Sequence, residues 1–269
     1  MNGSEAFRVF RALHHGPTPL LLPNAWDHAS GAALTAAGFS AVGTTSLGVA
    51  ASAGLRDGRG DTLAETAALA AVLVELPVPI SVDIEAGLHT EASDVADWAA
   101  ELAESGIAGI NVEDGRPEGL AAVESQCALI AAIADRAPGL FLNARVDTHW
   151  LVAEPPSVEA ALSRARRYVA AGADGIFVPG ITEPADIALL ARELSVPLNV
   201  LAVPGGLDVS GLAKLGVRRI STGSLLFRTA VAAAVDTATA LREGRPIDSA
   251  AYSYAALDRF AARRGRPER

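Results

Sequence analysis

A short unit, in which a small residue and a glycine precede an apolar run, recurs four times and limits what this chain can fold into. It occupies residues 37–42, 105–110, 171–176 and 215–220, each time after an Ala-rich helical stretch. A left-handed glycine ends a helix and lets a strand follow it. A second set of apolar runs, marked by proline, lies between these units, at residues 19–22, 77–82, 138–142 and 196–200.

Interleaving the two sets gives eight strands, each followed by a helical pattern. This alternation indicates parallel pairing, and eight units in about 250 residues predict an α/β fold of the (β/α)8 TIM-barrel type. An open, doubly wound sheet is the alternative, but it usually carries a glycine-rich phosphate turn after its first strand. Here the first strand runs into Leu22-Pro23-Asn24-Ala25-Trp26-Asp27, so we favour the barrel.

No linker or shift in composition divides the chain, so we expect residues 1–269 to form one barrel domain. A lead-in helix is predicted within residues 1–16, and two further helices within residues 225–269. The last of these, over residues 249–263, has an apolar face that needs cover from the barrel or from a neighbouring subunit.

The composition excludes several functions. A formal net charge of −9 argues against nucleic acid or an anionic membrane as the main partner. The single cysteine, Cys127, excludes an internal disulfide and a multi-cysteine metal site, and fits a reducing cytosol. The single lysine, Lys214, lies in the predicted helix before strand eight, which disfavours a Schiff-base aldolase. With no signal-peptide core and no uninterrupted membrane span, we expect a soluble cytoplasmic protein.

The run from Pro79 to Gly87 ends a predicted strand with two carboxylates. Because strand side chains alternate, Asp83 and Glu85 are expected to project to the same side. Two like charges side by side are unfavourable without a cation, and Mg²⁺ takes carboxylate oxygens directly or through retained waters. The alternative is a pair of solvated loop residues.

The chemistry of such a barrel lies at the carboxyl ends of its strands. Asp83, Glu85 and Glu113 come from strands three and four, and Arg145 follows strand five. This set suits a Mg²⁺ ion that holds an anionic oxygen ligand beside a guanidinium. The other polar residues at these ends are Asn24, Thr44, Thr45, Ser46, Asp114, Asn143, Asn199, Ser221 and Thr222.

Structural alternatives remain for these residues. Arg145 has Asp147 as a neighbour with which it can simply pair, and Thr45 and Ser46 can serve as turn caps. Asp57, in a glycine-rich loop, is solvated by default. The five histidines show no metal-ligand spacing.

In order, these motifs resemble the isocitrate lyase and phosphoenolpyruvate mutase superfamily over roughly residues 20–232. The resemblance is carried by Asp57 and by the runs at residues 22–27, 44–50, 81–87, 111–114, 143–147, 175–180 and 199–206. It implies a (β/α)8 barrel that exchanges its last helix with a neighbour, in a dimer or a tetramer. The implied ligand is a small 2-oxo carboxylate.

The resemblance also implies roles for individual residues. Mg²⁺, or Mn²⁺ in its place, would be held by Asp83, with Glu85 and Glu113 acting directly or through water. Asp57 would order the waters of the metal, and Arg145 would contact the substrate. The substrate would also bind Thr45, Ser46 and Asn199.

Two departures from the family's residue pattern limit which reaction the chain can catalyse. Glu85 stands where the family usually has Asp. The lyases carry a cysteine and a histidine, and the mutases a lysine and an asparagine, on a loop after strand four. Residues 115–120 here have none of these. An isocitrate or methylisocitrate lyase is therefore disfavoured, because no cysteine is placed to protonate the product carbanion.

We expect a Mg²⁺-dependent lyase that cleaves a C–C bond next to a 2-oxo acid through a pyruvate-like enolate. Oxaloacetate decarboxylation is the leading case, since it leaves protonation to solvent and tolerates a loop without an acid. The alternatives are a phosphoenolpyruvate or carboxyphosphonoenolpyruvate phosphonomutase, a retro-aldol lyase on a substituted malate, and a non-catalytic 2-oxo acid binder.

Overall fold

The computed structural model describes residues 2–151, 157–247 and 251–262. In this part of the chain, nine parallel strands form one nearly closed barrel sheet, and two short strands form a separate antiparallel hairpin. The strands are β1 (Leu20–Leu22), β2 (Asn24–Ala25), β3 (Val42–Thr44), β4 (Ile80–Asp83), β5 (Gly109–Glu113), the hairpin β6 (Gly115–Arg116) and β7 (Gly119–Leu120), β8 (Phe141–Arg145), β9 (Gly175–Phe177), β10 (Leu198–Leu201) and β11 (Arg219–Ser221).

Helices follow the strands around the outside. They are α1 (Gly3–Leu13), α2 (His28–Ala36), α3 (Ser46–Ser52), α4 (Leu63–Leu73), α5 (Ala92–Ser105), α6 (Val123–Arg136), α7 (Val158–Ala170), α8 (Pro184–Glu193), α9 (Val209–Lys214), α10 (Leu225–Arg242) and α11 (Tyr254–Ala262). The predicted (β/α)8 barrel is thereby confirmed. No described helix is both long and apolar enough to cross a membrane.

The ninth strand arises because the chain continues past the predicted end of the first strand at Leu22 and forms a second short strand after Pro23. The piece before it, β1, pairs with β11, and the piece after it, β2, pairs with β3. Asn24 joins the two ends of the sheet: its Oδ1 accepts from the backbone N–H groups of Thr222 and Gly223 at 3.0 and 2.9 Å. Its Nδ2 donates to the carbonyl oxygen of Thr44 at 2.6 Å. The first strand thus nearly closes the barrel from both sides.

The four repeated glycines end helices as predicted. Gly38, Gly106, Gly172 and Gly216 all have positive φ angles, between 91° and 113°. Residues with a side chain rarely adopt this backbone conformation. Glycine adopts it readily, so the chain can turn from helix to strand within a few residues. The repeat therefore reflects a backbone requirement at four equivalent corners of the barrel.

Helix α1 covers the amino-terminal end of the barrel. Phe10 is fully buried and meets Phe141 edge-on, with 5.5 Å between ring centroids. His14 stacks on Phe141 at 4.2 Å and donates from Nδ1 to the carbonyl oxygen of Phe10 at 2.8 Å. This end of the barrel is consequently filled with aromatic rings, and the polar pocket lies at the other end.

The C-terminal helices lie outside the barrel. Helix α10 begins where predicted, but Val231, Val235 and Leu241 on it are exposed. Helix α11 begins at Tyr254, later than the predicted residue 249. Residues 248–250 and 263–269, which include the predicted helix ends at 249 and 263, lie outside the described ranges.

Candidate active site

A pocket of about 80 Å³ opens at the carboxyl ends of the strands. It brings together five of the predicted site residues: Thr45, Ser46, Asp57, Asp83 and Arg145. The rest of its wall is formed by Asn24, Leu47, Asn111, Trp150, Phe177, Pro179, Leu201, Ser221, Gly223 and Ser224. The pocket is therefore small, with polar and charged side chains beside the rings of Trp150 and Phe177.

Two carboxylates line the pocket and form no ion pair with any arginine in the described part of the chain. Asp83 is the last residue of β4, and its backbone N–H donates to the Thr44 hydroxyl at 2.8 Å, which fixes the end of the strand. Asp57 reaches the pocket from the loop after α3. Partial burial of the Asp57 carboxylate raises its pKa. The charge of Asp83 raises this pKa further, while the Ser46 hydroxyl lowers it. The pair concentrates negative charge where a ligand would bind.

Arg145, at the end of β8, bridges two buried carboxylates. Its Nη1 lies 2.7 Å from Glu113 Oε2, and its Nε lies 2.6 Å from Asp147 Oδ1. The rings of Trp150 and Phe177 contact the guanidinium, at 5.9 and 5.8 Å from their centroids. The predicted pairing with Asp147 is present, but it is shared with Glu113, and Arg145 still reaches the pocket.

Burial sets the electrostatics of this cluster. It raises the pKa values of Glu113 and Asp147, and neighbouring carboxylates including Asp83 raise them further, while Arg145 opposes the shift. Burial works against the charge on Arg145, but its carboxylate partners outweigh it and raise its pKa. The cluster holds more carboxylates than cations, which favours a bound cation.

The position of Asp147 is in turn fixed by another buried carboxylate, that of Asp114. Asp114 Oδ1 accepts from the Asp147 backbone N–H at 2.8 Å, and its Oδ2 accepts from Tyr168 and Arg164 of α7, at 2.7 and 2.9 Å. These contacts fix the turn that follows β8. Asp114 is therefore a structural anchor below the pocket rim.

Glu85 does not project beside Asp83 as expected. Strand β4 ends at Asp83, and Glu85 has a left-handed φ of 50°, so the alternation of a strand no longer applies. Its carboxylate accepts from the Gly60 backbone N–H at 3.0 Å and from the Thr62 hydroxyl at 2.7 Å. Burial raises the pKa of Glu85, and these two donors oppose the rise. Glu85 lines a neighbouring pocket of about 470 Å³ between the strand-end loops.

Asn199 lies below the pocket, fully buried, and its amide exchanges hydrogen bonds with the Ser221 hydroxyl at 3.1 and 3.3 Å. Asn199 therefore contacts the pocket only indirectly, through Ser221.

The same interior layer contains Arg219, which was not among the predicted site residues. A signal was present: adjacent residues of a barrel strand face opposite sides, so one of Arg218 and Arg219 must point inward.

The donor set fits magnesium held partly through water. No group of three or more His, Cys, Asp or Glu side chains is arranged to hold a metal ion in the ranges that the structure describes. Mg²⁺, however, usually keeps several waters and binds through one or two carboxylates. Asp57 and Asp83, which both line the pocket, offer such a site, and Glu113 at the end of the neighbouring strand β5 is paired with Arg145.

Comparisons with known proteins give one consistent result. The profile of the family described as phosphoenolpyruvate phosphomutase matches residues 10–242. An uncharacterised protein of Mycobacterium tuberculosis is 44% identical over 238 residues, covering 88% of this chain and 90% of that protein. The crystal structure of a candidate phosphonomutase from Burkholderia cenocepacia J2315 is 36% identical, with a TM-score of 0.81 over 89% of this chain and 99% of that one.

Two relatives with named activities are each 32% identical. They are the 2-methylisocitrate lyase of Bacillus subtilis, over 70% of this chain, and the oxaloacetate decarboxylase of Ectopseudomonas mendocina, over 64% of it. The matched regions span 64% and 61% of those two proteins, less than two thirds of their lengths.

Proposed function

Because this chain belongs to the phosphoenolpyruvate phosphomutase family, within the isocitrate lyase and phosphoenolpyruvate mutase superfamily, we propose that it is a Mg²⁺-dependent carbon–carbon lyase acting on a small 2-oxo acid. Oxaloacetate decarboxylation is the leading reaction. The observation that carries the proposal is the pocket itself, which combines four hydroxyl side chains, Arg145 and two carboxylates that pair with no arginine among the described residues. An oxaloacetate decarboxylase among the relatives supports it.

Each residue at this site would have its own role. Asp83 would hold Mg²⁺, and Asp57 and Glu113 would bind its waters. The bound ion would take up part of the negative charge that develops on the oxygens of the 2-oxo acid. Thr45 and Ser46 would donate to one substrate carboxylate, and Arg145 would donate its remaining N–H groups to the substrate.

The reaction requires no acid group from the protein. The C3–C4 bond of oxaloacetate breaks, CO2 leaves, and the bonding electrons form the enolate of pyruvate. A proton from water then adds at C3. The hairpin at residues 115–120 carries no cysteine, histidine or lysine, in agreement with protonation by solvent.

Binding of oxalate, which resembles the enolate, tests the proposal. We expect Mg²⁺ and oxalate together to raise the melting temperature, because a ligand that binds only the folded state stabilises it by mass action. EDTA or the Asp83→Ala variant should abolish the rise, and oxaloacetate should yield pyruvate and CO2. The absence of any oxalate effect with Mg²⁺ or Mn²⁺ would refute the metal and enolate site.

Glu85→Gln is the matched control for Asp83→Ala. Both oxygens of Glu85 already accept hydrogen bonds from Gly60 and Thr62. If Glu85 acts by fixing that loop, the variant should keep Mg²⁺-dependent oxalate binding. Loss of binding equal to that of Asp83→Ala would instead assign Glu85 to the metal, as the family resemblance implies.

A phosphonomutase is the second candidate, favoured by the family match and by the Burkholderia structure at 36% identity. It would move a phosphoryl group between oxygen and carbon, so phosphonopyruvate should be converted into phosphoenolpyruvate. Phosphorus NMR of the incubated phosphonate distinguishes the two candidates, since a decarboxylase would leave it unchanged.

We also propose that a second copy of this chain, in a cytoplasmic dimer or tetramer, covers helix α10. The exposed Val231 and Val235 on that helix support the proposal. Sedimentation should show a homo-oligomer that Val235→Asp dissociates. A monomeric wild-type protein would contradict it.

A further inference from the structure

Arg219 lies inside the barrel directly beneath the proposed substrate pocket. It is fully buried on β11, and its guanidinium lies over the Phe10 ring, 5.7 Å from the centroid. Its Nη2 donates to Asn111 Oδ1 at 3.1 Å, and its Nε donates to the Ser221 hydroxyl oxygen at 3.2 Å. Asn111 and Ser221 both line the pocket above. Arg219 therefore contacts two pocket residues from below.

In the part of the chain that the structure describes, no carboxylate forms an ion pair with this charge. Among the described residues, Arg219 forms no ion pair, and its buried Nη1 has no hydrogen-bond partner. Burial lowers its pKa to about 9, although Asp83 opposes the drop. An unpaired buried cation is costly to a fold. Its presence needs a reason other than stability.

The guanidinium determines how the Asn111 amide is oriented. Arginine has only donors, so Asn111 must turn its oxygen toward it. A second donor, Asn143 Nδ2, reaches the same oxygen at 2.9 Å, which occupies both of its acceptor positions. No hydrogen bond described in the structure uses Asn111 Nδ2. This group is thus left as a donor for the pocket.

We propose that Arg219 is a positioning residue of the pocket, which holds the Asn111 amide so that Nδ2 donates to an anionic oxygen of the bound acid. The inference rests on the proposed function, because it needs an anionic ligand in this pocket. It assigns a ligand-binding role to Asn111 and explains why the interior keeps an unpaired cation.

A double-mutant cycle on oxalate binding at saturating Mg²⁺, measured by calorimetry, tests the inference. Arg219→Met and Asn111→Ala should each weaken the oxalate affinity about tenfold, the usual value of one hydrogen bond to an anion. If Arg219 acts through Asn111, the double variant should bind within about twofold of Asn111→Ala alone. Arg219→Lys, which keeps the charge and offers only donors, should recover most of the affinity.

The outcomes separate this inference from the proposed function. Wild-type protein that does not bind oxalate refutes both. Wild-type protein that binds, with Arg219→Met binding equally well, refutes only the positioning role. Effects that simply add in the double variant also refute it, because they show independent contributions. If Arg219→Met does not fold, Arg219→Gln enters the same cycle, since glutamine offers an acceptor and no longer fixes the amide.

Discussion

Two arginines lie inside this barrel at different depths, and their surroundings differ in kind. Arg145, at the mouth, forms ion pairs with Glu113 and Asp147. Arg219, one layer below, meets amide, hydroxyl and aromatic groups, and none of the described carboxylates pairs with it. The mouth thus holds excess negative charge and the layer beneath it holds an uncompensated positive charge.

The comparison shows that burial alone does not determine how much a charged side chain contributes to the stability of the fold. What matters is the set of groups that remain when the side chain is removed. Without Arg145, two buried carboxylates would lose their cation. Without Arg219, the Asn111 and Asn143 amides could still pair with each other in either orientation, and Ser221 would keep Asn199, so none of these groups would lose all its partners.

The same substitution at both positions tests this directly, with the largest effect expected at the mouth. Arg145→Met should lower the free energy of unfolding of the metal-free protein by about 3–5 kcal/mol, the usual cost of leaving a buried charge without its partner. Arg219→Met should leave it unchanged or raise it. Urea unfolding at pH 7, followed by tryptophan fluorescence, measures both.

A pH series sharpens the result. In Arg145→Met the stranded carboxylates can take up protons at low pH, so the loss of stability should shrink from pH 7 to pH 5. No such recovery is expected for Arg219→Met. Equal losses at the two positions would contradict the comparison and would show that Arg219 stabilises the fold.

The sequence predicted the parts of the molecule that depend on local chain geometry. The four corner glycines and the strands that follow them were predicted because the left-handed conformation and the apolar runs are encoded within a few residues. Asp57, Asp83 and Arg145 were expected at strand ends or in the adjoining loops, and the barrel brings them to one pocket.

The remaining parts of the site depend on contacts between distant residues. Glu85 could not be placed, because its backbone leaves the strand and its carboxylate binds a loop more than 20 residues earlier. Asp114 is anchored by α7, from the region 50 residues later. Arg219 contacts Asn111 across the barrel interior. Such contacts depend on how distant segments pack together in the folded protein and have no sequence pattern of their own.

A smaller effect is expected from His14, on the amino-terminal side of Arg219. Burial lowers the pKa of His14 to about 3, and the charge of Arg219 lowers it further. The unfolded chain therefore binds a proton near pH 6.5 that the folded protein does not bind. Stability should fall as the pH drops below 6.5, by about 2 kcal/mol between pH 7 and pH 5 from this group alone.

His14→Leu should remove that component of the pH dependence, and His15→Leu is its matched control because His15 is exposed on the neighbouring position. Chemical unfolding of the wild type and both variants at pH 7, 6 and 5 gives the three slopes. The wild type and His15→Leu should lose stability in parallel, while His14→Leu should lose about 2 kcal/mol less over the same range. Because Arg219 faces His14, combining His14→Leu with Arg219→Met should give little further change in slope. If His14→Leu keeps the wild-type slope, the imidazole accepts a proton inside the fold, and the layer around Arg219 is less positive than its contacts indicate.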